Sequence, residues 1–354
     1  MAVINTPHPV THSSIRPAFN LWWGIVGCIA IMVGIYLLGP YNYDYTFEAK
    51  PEGHPMWYLW QLENPTFMSR ASAWGGYFLH QISIWWLIYL AQTQRLNYEK
   101  KLHPINILAI SANVFFVALH VLQTKVWYDG LAQDVPEWTS VASVVVFLIA
   151  VLIIENPRRG LVFGKKAPGL ISVGQVLRKY HGYYFAWAFI YTFWYHPIEL
   201  TSGHLLGILY TLLLLLQGSL MFTQFHRNKY WTVLLETFVV VHAILVAYFT
   251  ITANGSFGDT GARFVFGLVG VFVITQMHGL GLSLLSRWLI FGIFCFVLGF
   301  YYYDEVPNIK DAFMIPIGNY LGVALLAAII WLIAIAPKRL IGKIRKGKSN
   351  NLAN

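Results

Sequence analysis

The sequence has little charge and almost no cysteine. Only 11% of its 354 residues are Asp, Glu, Lys or Arg, against about 25% in soluble globular domains. The chain therefore cannot cover a water-facing surface of ordinary size. Its two cysteines, Cys28 and Cys295, both fall within apolar stretches, where they act as small apolar side chains. They can build neither a disulfide framework nor a thiolate metal centre.

Several catalytic motifs are also missing. The sequence contains no Gly-x-Ser-x-Gly elbow, no Walker phosphate-binding loop and no Cys-x-x-Cys-His haem attachment motif. One closely spaced histidine pair, His8 and His12, lies in the polar N-terminal tail. A single pair outside the membrane argues against the di-iron desaturases and hydroxylases, which carry several histidine boxes.

Ten apolar stretches make up most of the chain. They cover residues 20–39, 72–94, 104–127, 138–154, 181–198, 203–224, 231–251, 262–282, 284–303 and 313–336. Each is close to the ~20 residues that a helix needs to cross about 30 Å of hydrocarbon. Runs such as 144–154 are apolar on every side, whereas the strands of a membrane barrel alternate polar and apolar residues. We therefore predict an all-α, polytopic transmembrane helical bundle of about ten spans.

Lys and Arg occur mainly in alternate loops. With the N-terminus placed in the cytoplasm, the cytoplasmic segments hold 19 of the 24 Lys and Arg residues. Because Lys and Arg mark the cytoplasmic side of membrane proteins, both termini are predicted to be cytoplasmic. The basic loops would contact anionic lipid headgroups on that face, and this placement argues against nucleic acid as a partner despite the net charge of +9. The first apolar run lacks a small-residue cleavage site and is expected to stay as a span of the inner (plasma) membrane.

These predictions divide the chain into five segments. They are a cytoplasmic tail, 1–19; spans one to four with an outer loop at 40–71, 20–155; a basic cytoplasmic linker, 156–180; spans five to ten, 181–336; and a basic cytoplasmic tail, 337–354. Within the linker, residues 170–179 would suit an interfacial helix on the inner leaflet. No internal repeat of the kind found in many secondary transporters is evident.

Histidine recurs within the apolar stretches. Ionisable groups inside a membrane are costly, and they mark functional sites or internal polar pairs. His80, His120 and His242 fall at comparable depths on three spans, as judged from the rise of about 1.5 Å per helical residue. We predict that these three residues bind a cofactor, and for each of them the alternative is a satisfied internal hydrogen bond. The predicted cavity opens to the outer face, with His242 at its floor, and is bordered by His80, His120, His196, Glu199 and His204. The cofactor is left open between a transition metal and one b-type haem, since imidazole suits both.

A polar turn between the fifth and sixth spans supplies further candidates. It places His196, Glu199 and His204 at the outer surface. Imidazole with carboxylate forms a general base with its orienting partner, so these three residues are the predicted catalytic set. The predicted metal ligands are His80, His120, His196 and His204. The alternative is a polar turn that only caps two helices.

Together these features predict an integral membrane protein with a histidine-rich site in the outer half of the bundle. The favoured function is a membrane-embedded enzyme or enzyme subunit that uses metal, haem or His/Glu acid–base chemistry on a lipid-like substrate. Two alternatives stay open. One is a proton-coupled transporter in which Glu236 and histidines relay protons. The other is a non-catalytic membrane subunit or scaffold with structural histidines, assembled with other membrane subunits.

Overall fold

A computed structural model describes residues 20–337 except for 40–44, 50–59, 95, 137, 255–257 and 305. The predicted tails and most of the predicted outer loop lie outside the described residues. The described part of the chain contains ten α-helices and no β-strand, which confirms the all-α class. The helices are α1 Leu21–Leu38, α2 Phe67–Thr93, α3 Pro104–Val126, α4 Trp138–Arg159, α5 Ile171–Tyr195, α6 Ser202–Ser219, α7 Lys229–Asn254, α8 Gly258–Ile274, α9 Leu284–Tyr301 and α10 Lys310–Ile330.

Among the residues that the structure describes, six helical segments are long and apolar enough to cross a membrane. They are α1, α3, α4, α6, α9 and the continuous segment Val306–Ile335 that contains α10. A helix of this length and composition spans the hydrocarbon core of a bilayer. The chain is therefore a multi-pass membrane protein, while the count of ten crossings and the side on which the termini lie stay predictions.

Many large apolar side chains point away from the protein. On α1, Trp22 and Trp23 are 70% and 73% exposed, and on α9, Leu285 and Phe300 are 79% and 78% exposed. Soluble monomers rarely expose contiguous apolar patches larger than a few hundred Å². A surrounding layer of lipid explains this exterior.

Six of the helices close a ring. Neighbouring contacts run from α4 through α5, α6, α7 and α8 to α10, and α10 packs back on α4. Outside the ring, α2 packs on α3 and α5, while α1 and α3 pack on α6 and α9 packs on α8. Helices α2 and α3, which carry the candidate residues His80 and His120, therefore contact the ring at α5 and α6.

Loops meet at both ends of the bundle. At the end that we call outer, the backbone N–H of Leu62, before α2, donates to Gln133 Oε1, after α3, at 2.9 Å. At the opposite, inner end, the backbone N–H of Gln224, after α6, donates to the carbonyl of Glu99, before α3, at 2.8 Å. At each end of the bundle, loops that are not consecutive in the sequence are therefore joined by hydrogen bonds.

Helices α4 and α5 both extend into the predicted basic linker, 156–180. Helix α4 continues to Arg159, and α5 already begins at Ile171. The fully buried side chain of Asn156 holds the intervening turn, because its amide donates to the carbonyl of Ala167 and accepts from the N–H of the same residue, each at 2.9 Å. Residues 171–179, within the predicted interfacial helix, are accordingly the first part of α5.

Candidate functional site

His80 lies in the middle of a chain of directed hydrogen bonds. Trp194 Nε1 lies 3.2 Å from His80 Nδ1, and because an indole N–H can only donate, the histidine nitrogen accepts. The proton of the neutral ring is then on Nε2, which donates to Asn113 Oδ1 at 2.7 Å. Asn113 Nδ2 donates in turn to Ser219 Oγ at 2.8 Å. The chain joins α5, α2, α3 and α6 and uses both nitrogens of His80.

This arrangement suits a structural role for His80. The ring is fully buried and stacks on Phe116, with the ring centroids 4.5 Å apart. A histidine that binds a metal or haem iron does so through an unprotonated nitrogen. Here the unprotonated nitrogen already accepts a hydrogen bond from Trp194. His80 therefore makes internal hydrogen bonds, which are the alternative to cofactor binding that the sequence leaves open.

His120 connects this buried network to the outer turn. Its Nε2 donates to the backbone carbonyl of His196 at 2.9 Å, and its Nδ1 lies 3.0 Å from Gln123 Oε1. The fully buried ring packs on Trp194 with the centroids 4.3 Å apart. His80 and His120 thus share Trp194 as a neighbour, and Nε2 of each ring donates to an oxygen atom of the chain.

Two further imidazoles meet at the outer end. The rings of His196 and His204 lie 5.5 Å apart between centroids and are nearly perpendicular. Trp60 contacts both rings, at 5.9 and 5.4 Å. Both histidines are partly exposed, whereas His80 and His120 are buried. These two rings are therefore less enclosed than those of His80 and His120.

His242 approaches this group from α7. Its half-buried ring lies against Gly207, one turn after His204 on α6, where a Cβ would come within 3.1 Å of His242 Cε1. The ring is close enough to His196 and His204 to interact with them electrostatically. Within the described part of the chain, His242 Nδ1 is buried without a hydrogen-bond partner, so this nitrogen is open to a proton or a ligand.

Glu199 is held by a tyrosine. The hydroxyl of Tyr128 donates to Glu199 Oε1. Burial raises the pKa of Glu199 above its ordinary value, and the hydrogen bond from Tyr128 and the charge of Lys125 lower it in part. Tyr128 is 2% exposed and has a φ of 44°, in a left-handed region that is uncommon for residues other than glycine and recurs at functional sites. Nothing in the sequence pattern singles out this tyrosine.

A second carboxyl group is buried at the outer end. Asp129 is 3% exposed, its Oδ2 accepts from Ser69 Oγ at 2.9 Å, and its Oδ1 accepts from the N–H of Gly130 at 2.8 Å. Burial raises the pKa of Asp129 to about 6, which outweighs the lowering by the two hydrogen bonds. The outer end thus contains a carboxyl group that titrates close to neutral pH.

Glu236 does not join the outer histidines. It forms an ion pair with Nη1 of Arg159, and the side chains are 3% and 0% exposed. The sequence leaves Glu236 without a partner because it assigns Arg159 to the cytoplasmic linker. The extra turn of α4 carries this arginine into the bundle, where two opposite charges compensate each other.

The geometry gives no support to the predicted metal ligands. The described residues contain no group of three or more His, Cys, Asp or Glu side chains that could hold a metal ion. The chain matches no protein-family model, and no curated protein or solved structure matches it. Function must therefore be inferred from the chemistry of the site itself.

Proposed function

We propose that the chain is a membrane-embedded enzyme, or the membrane subunit of one, whose outer site performs acid–base chemistry on a lipid-like substrate. The observation that supports this most is the contact between the partly exposed rings of His196 and His204 beneath Trp60. Imidazole is the side chain whose ordinary pKa lies nearest to neutral pH. Glu199, with its raised pKa, supplies a third titratable group on the same turn.

Each group has a definite task in this proposal. One imidazole takes the proton of a bound hydroxyl group or water molecule as the oxygen attacks a carbonyl or phosphoryl group of the substrate. The other imidazole, or Glu199 in its acid form, gives a proton to the leaving oxygen. Trp60 forms an apolar wall beside the two rings, and the lipid around the helices gives access to the tail of the substrate. Acid–base chemistry is favoured over metal or haem ligation because both nitrogens of His80 are hydrogen-bonded and Nε2 of His120 donates to the carbonyl of His196.

Lipid analysis of membranes tests the enzyme. Cells that express the wild-type chain should contain a lipid species that is lost with His196→Gln and with His204→Gln, at equal amounts of protein in the membrane. His278→Gln is the matched control, because this histidine lies near Gly164 at the inner end. Product that persists in both outer variants would contradict the assignment.

The proposal also includes ten crossings of the inner membrane, with both termini in the cytoplasm and the basic inner loops on anionic headgroups. Ser202 and Lys166 are exposed residues at opposite ends of the bundle. In a background of Cys28→Ser and Cys295→Ser, an impermeant maleimide added to intact cells should label Ser202→Cys and leave Lys166→Cys unlabelled. The reverse pattern would invert the orientation.

Proton-coupled transport is the second candidate, because α7 carries titratable groups at two depths. Glu236 lies six residues before His242, about 9 Å along the helix. In the described part of the chain, Glu236 Oε1 and His242 Nδ1 are both buried without a hydrogen-bond partner. A transporter predicts uptake that is driven by a proton gradient and lost in Glu236→Gln. An enzyme predicts that product formation persists in this variant.

A further inference from the structure

The inner half of the helical ring contains a small polar chamber. Its polar lining consists of Arg159, Glu236, Gln276 and Asn319, and the rest of the lining is made of Leu and Val side chains of α4, α7 and α8. Each of the four polar residues is at most 6% exposed. None of the outer histidines contributes to the chamber, so it is separate from the proposed acid–base site.

Four buried polar atoms on these residues lack a hydrogen-bond partner within the described part of the chain. They are Arg159 Nε, Arg159 Nη2, Glu236 Oε1 and Gln276 Oε1. The ion pair uses only Arg159 Nη1 and Glu236 Oε2. Buried polar groups in proteins are nearly always paired. The chamber therefore presents two donor atoms and two acceptor atoms to a bound group.

Size and charge restrict what that group is. The space open to the centre of a water molecule is about 10 Å³, close to the ~10–15 Å³ that one bound water needs. An anion would face Glu236 Oε1 and Gln276 Oε1, and a cation would face the guanidinium of Arg159. A neutral group that both donates and accepts hydrogen bonds fits all four atoms, and a hydroxyl group is the smallest such group.

We propose that this chamber binds a single hydroxyl-sized group, which is either a water molecule or the hydroxyl head of an apolar alcohol. The group accepts a hydrogen bond from Arg159 and donates one to Glu236 or Gln276. For an alcohol, the tail lies along Leu148 and Val239, apolar lining residues that are only half-buried. The bound group thereby completes the hydrogen bonding of the buried ion pair.

High-resolution structures of the full chain in phosphatidylcholine nanodiscs test the proposal, because this lipid has no alcohol group. The expected result is density about 2.7–3.2 Å from Arg159 and from Glu236 or Gln276. Added n-dodecanol separates the two sources, with n-dodecane as the matched ligand that lacks the hydroxyl. Density that extends from the chamber along Leu148 with dodecanol alone identifies an alcohol site, and isolated density in every sample identifies water. An empty chamber, or one in which the four unpaired atoms have turned to bond each other, overturns the proposal.

Two variants connect the bound group to the ion pair. Glu236→Gln keeps an acceptor oxygen and should retain the density. The double variant Arg159→Met, Glu236→Leu replaces both charges by apolar groups of similar volume, which is often tolerated in a folded protein, and it should lose the density while the ring of helices persists. Density that survives in the double variant would show that the site does not depend on these residues, and the proposal would be wrong.

Discussion

Replacement of Gly76 by alanine should displace Trp194 and destabilise the protein. A Cβ at Gly76 would lie 2.8 Å from Cζ2 of the Trp194 indole and would overlap two further ring atoms. The indole is fully buried, so it cannot move without disturbing its neighbours. Its displacement would break the hydrogen bond to His80 and shift the ring that packs on His120.

The expected loss in the free energy of unfolding is about 0.5–3.5 kcal/mol. Overpacking of a buried site costs roughly 1–3 kcal/mol, and the lost hydrogen bond adds about 0.5–1.5 kcal/mol. Alanine is favoured over glycine in a helix by about 1 kcal/mol, which offsets part of this cost. The adjacent Gly75 is the matched control, because a Cβ there meets nothing within 4 Å. Gly75→Ala should accordingly be neutral or stabilising.

Reversible unfolding in mixed micelles measures the two variants against the wild type. NMR of ¹⁵N-labelled indoles follows the N–H of Trp194, and this signal should move in Gly76→Ala and stay in place in Gly75→Ala. The reasoning would be refuted if both variants were equally stable and the indole signal were unchanged in both. In that case Trp194 would not pack against Gly76.

Two further predictions concern buried charge. Glu236→Leu alone should destabilise the protein by about 3–5 kcal/mol because it leaves the charge of Arg159 unpaired, whereas adding Arg159→Met should restore stability to within about 1 kcal/mol of the wild type or exceed it. Thermal unfolding of the single and double variants checks this, and additive losses would contradict a direct ion pair. Burial raises the pKa of Asp129 from its ordinary value of 3.8 to about 6, so the folded state favours the protonated acid. The protonated carboxyl group therefore stabilises the folded state fully below pH 3.8, and this stabilisation is lost as the pH rises through about 6. Asp129→Asn should therefore be more stable than the wild type at pH 7.5, by up to about 3 kcal/mol, and a stability difference that does not change between pH 4 and 7.5 would contradict this.

The positions of the helices follow from the sequence because an apolar run has to be as long as the hydrocarbon layer is thick. The ends of the helices do not follow, and α5 shows why. It begins at Ile171, ten residues before the predicted span, and its charged residue Arg178 donates to the carbonyl of Ile154 on α4 at 2.7 Å. In the sequence, charged residues such as Arg178 indicate where the hydrocarbon layer ends. The helix itself extends beyond that point, because its backbone hydrogen bonds form in water as well as in lipid.

The depth of a residue in the bundle can also be predicted, since it depends only on the rise per residue. Its partners cannot, because they depend on how each helix is rotated. His80 and His120, which are predicted at similar depths, share Trp194 as a neighbour. The chain has 14 tryptophans, and nothing in the sequence distinguishes this one. Arg159 cannot be identified from the sequence as the partner of Glu236, because the predicted fourth span ends at residue 154 whereas α4 continues to Arg159.

The histidines therefore fall into two groups that a screen of activity alone would not separate. His80 has both nitrogens paired inside the bundle, so its loss leaves the N–H of Trp194 and the amide oxygen of Asn113 unpaired and acts first on stability. His204 lies partly exposed beside His196 and Trp60, so its loss should remove product with little effect on unfolding. A variant of either residue could be inactive in cells, and only the unfolding measurement shows which cause applies. If His204→Gln were destabilised as strongly as a variant of His80, the outer turn would be a structural cap, and the proposed acid–base site would lose its main support.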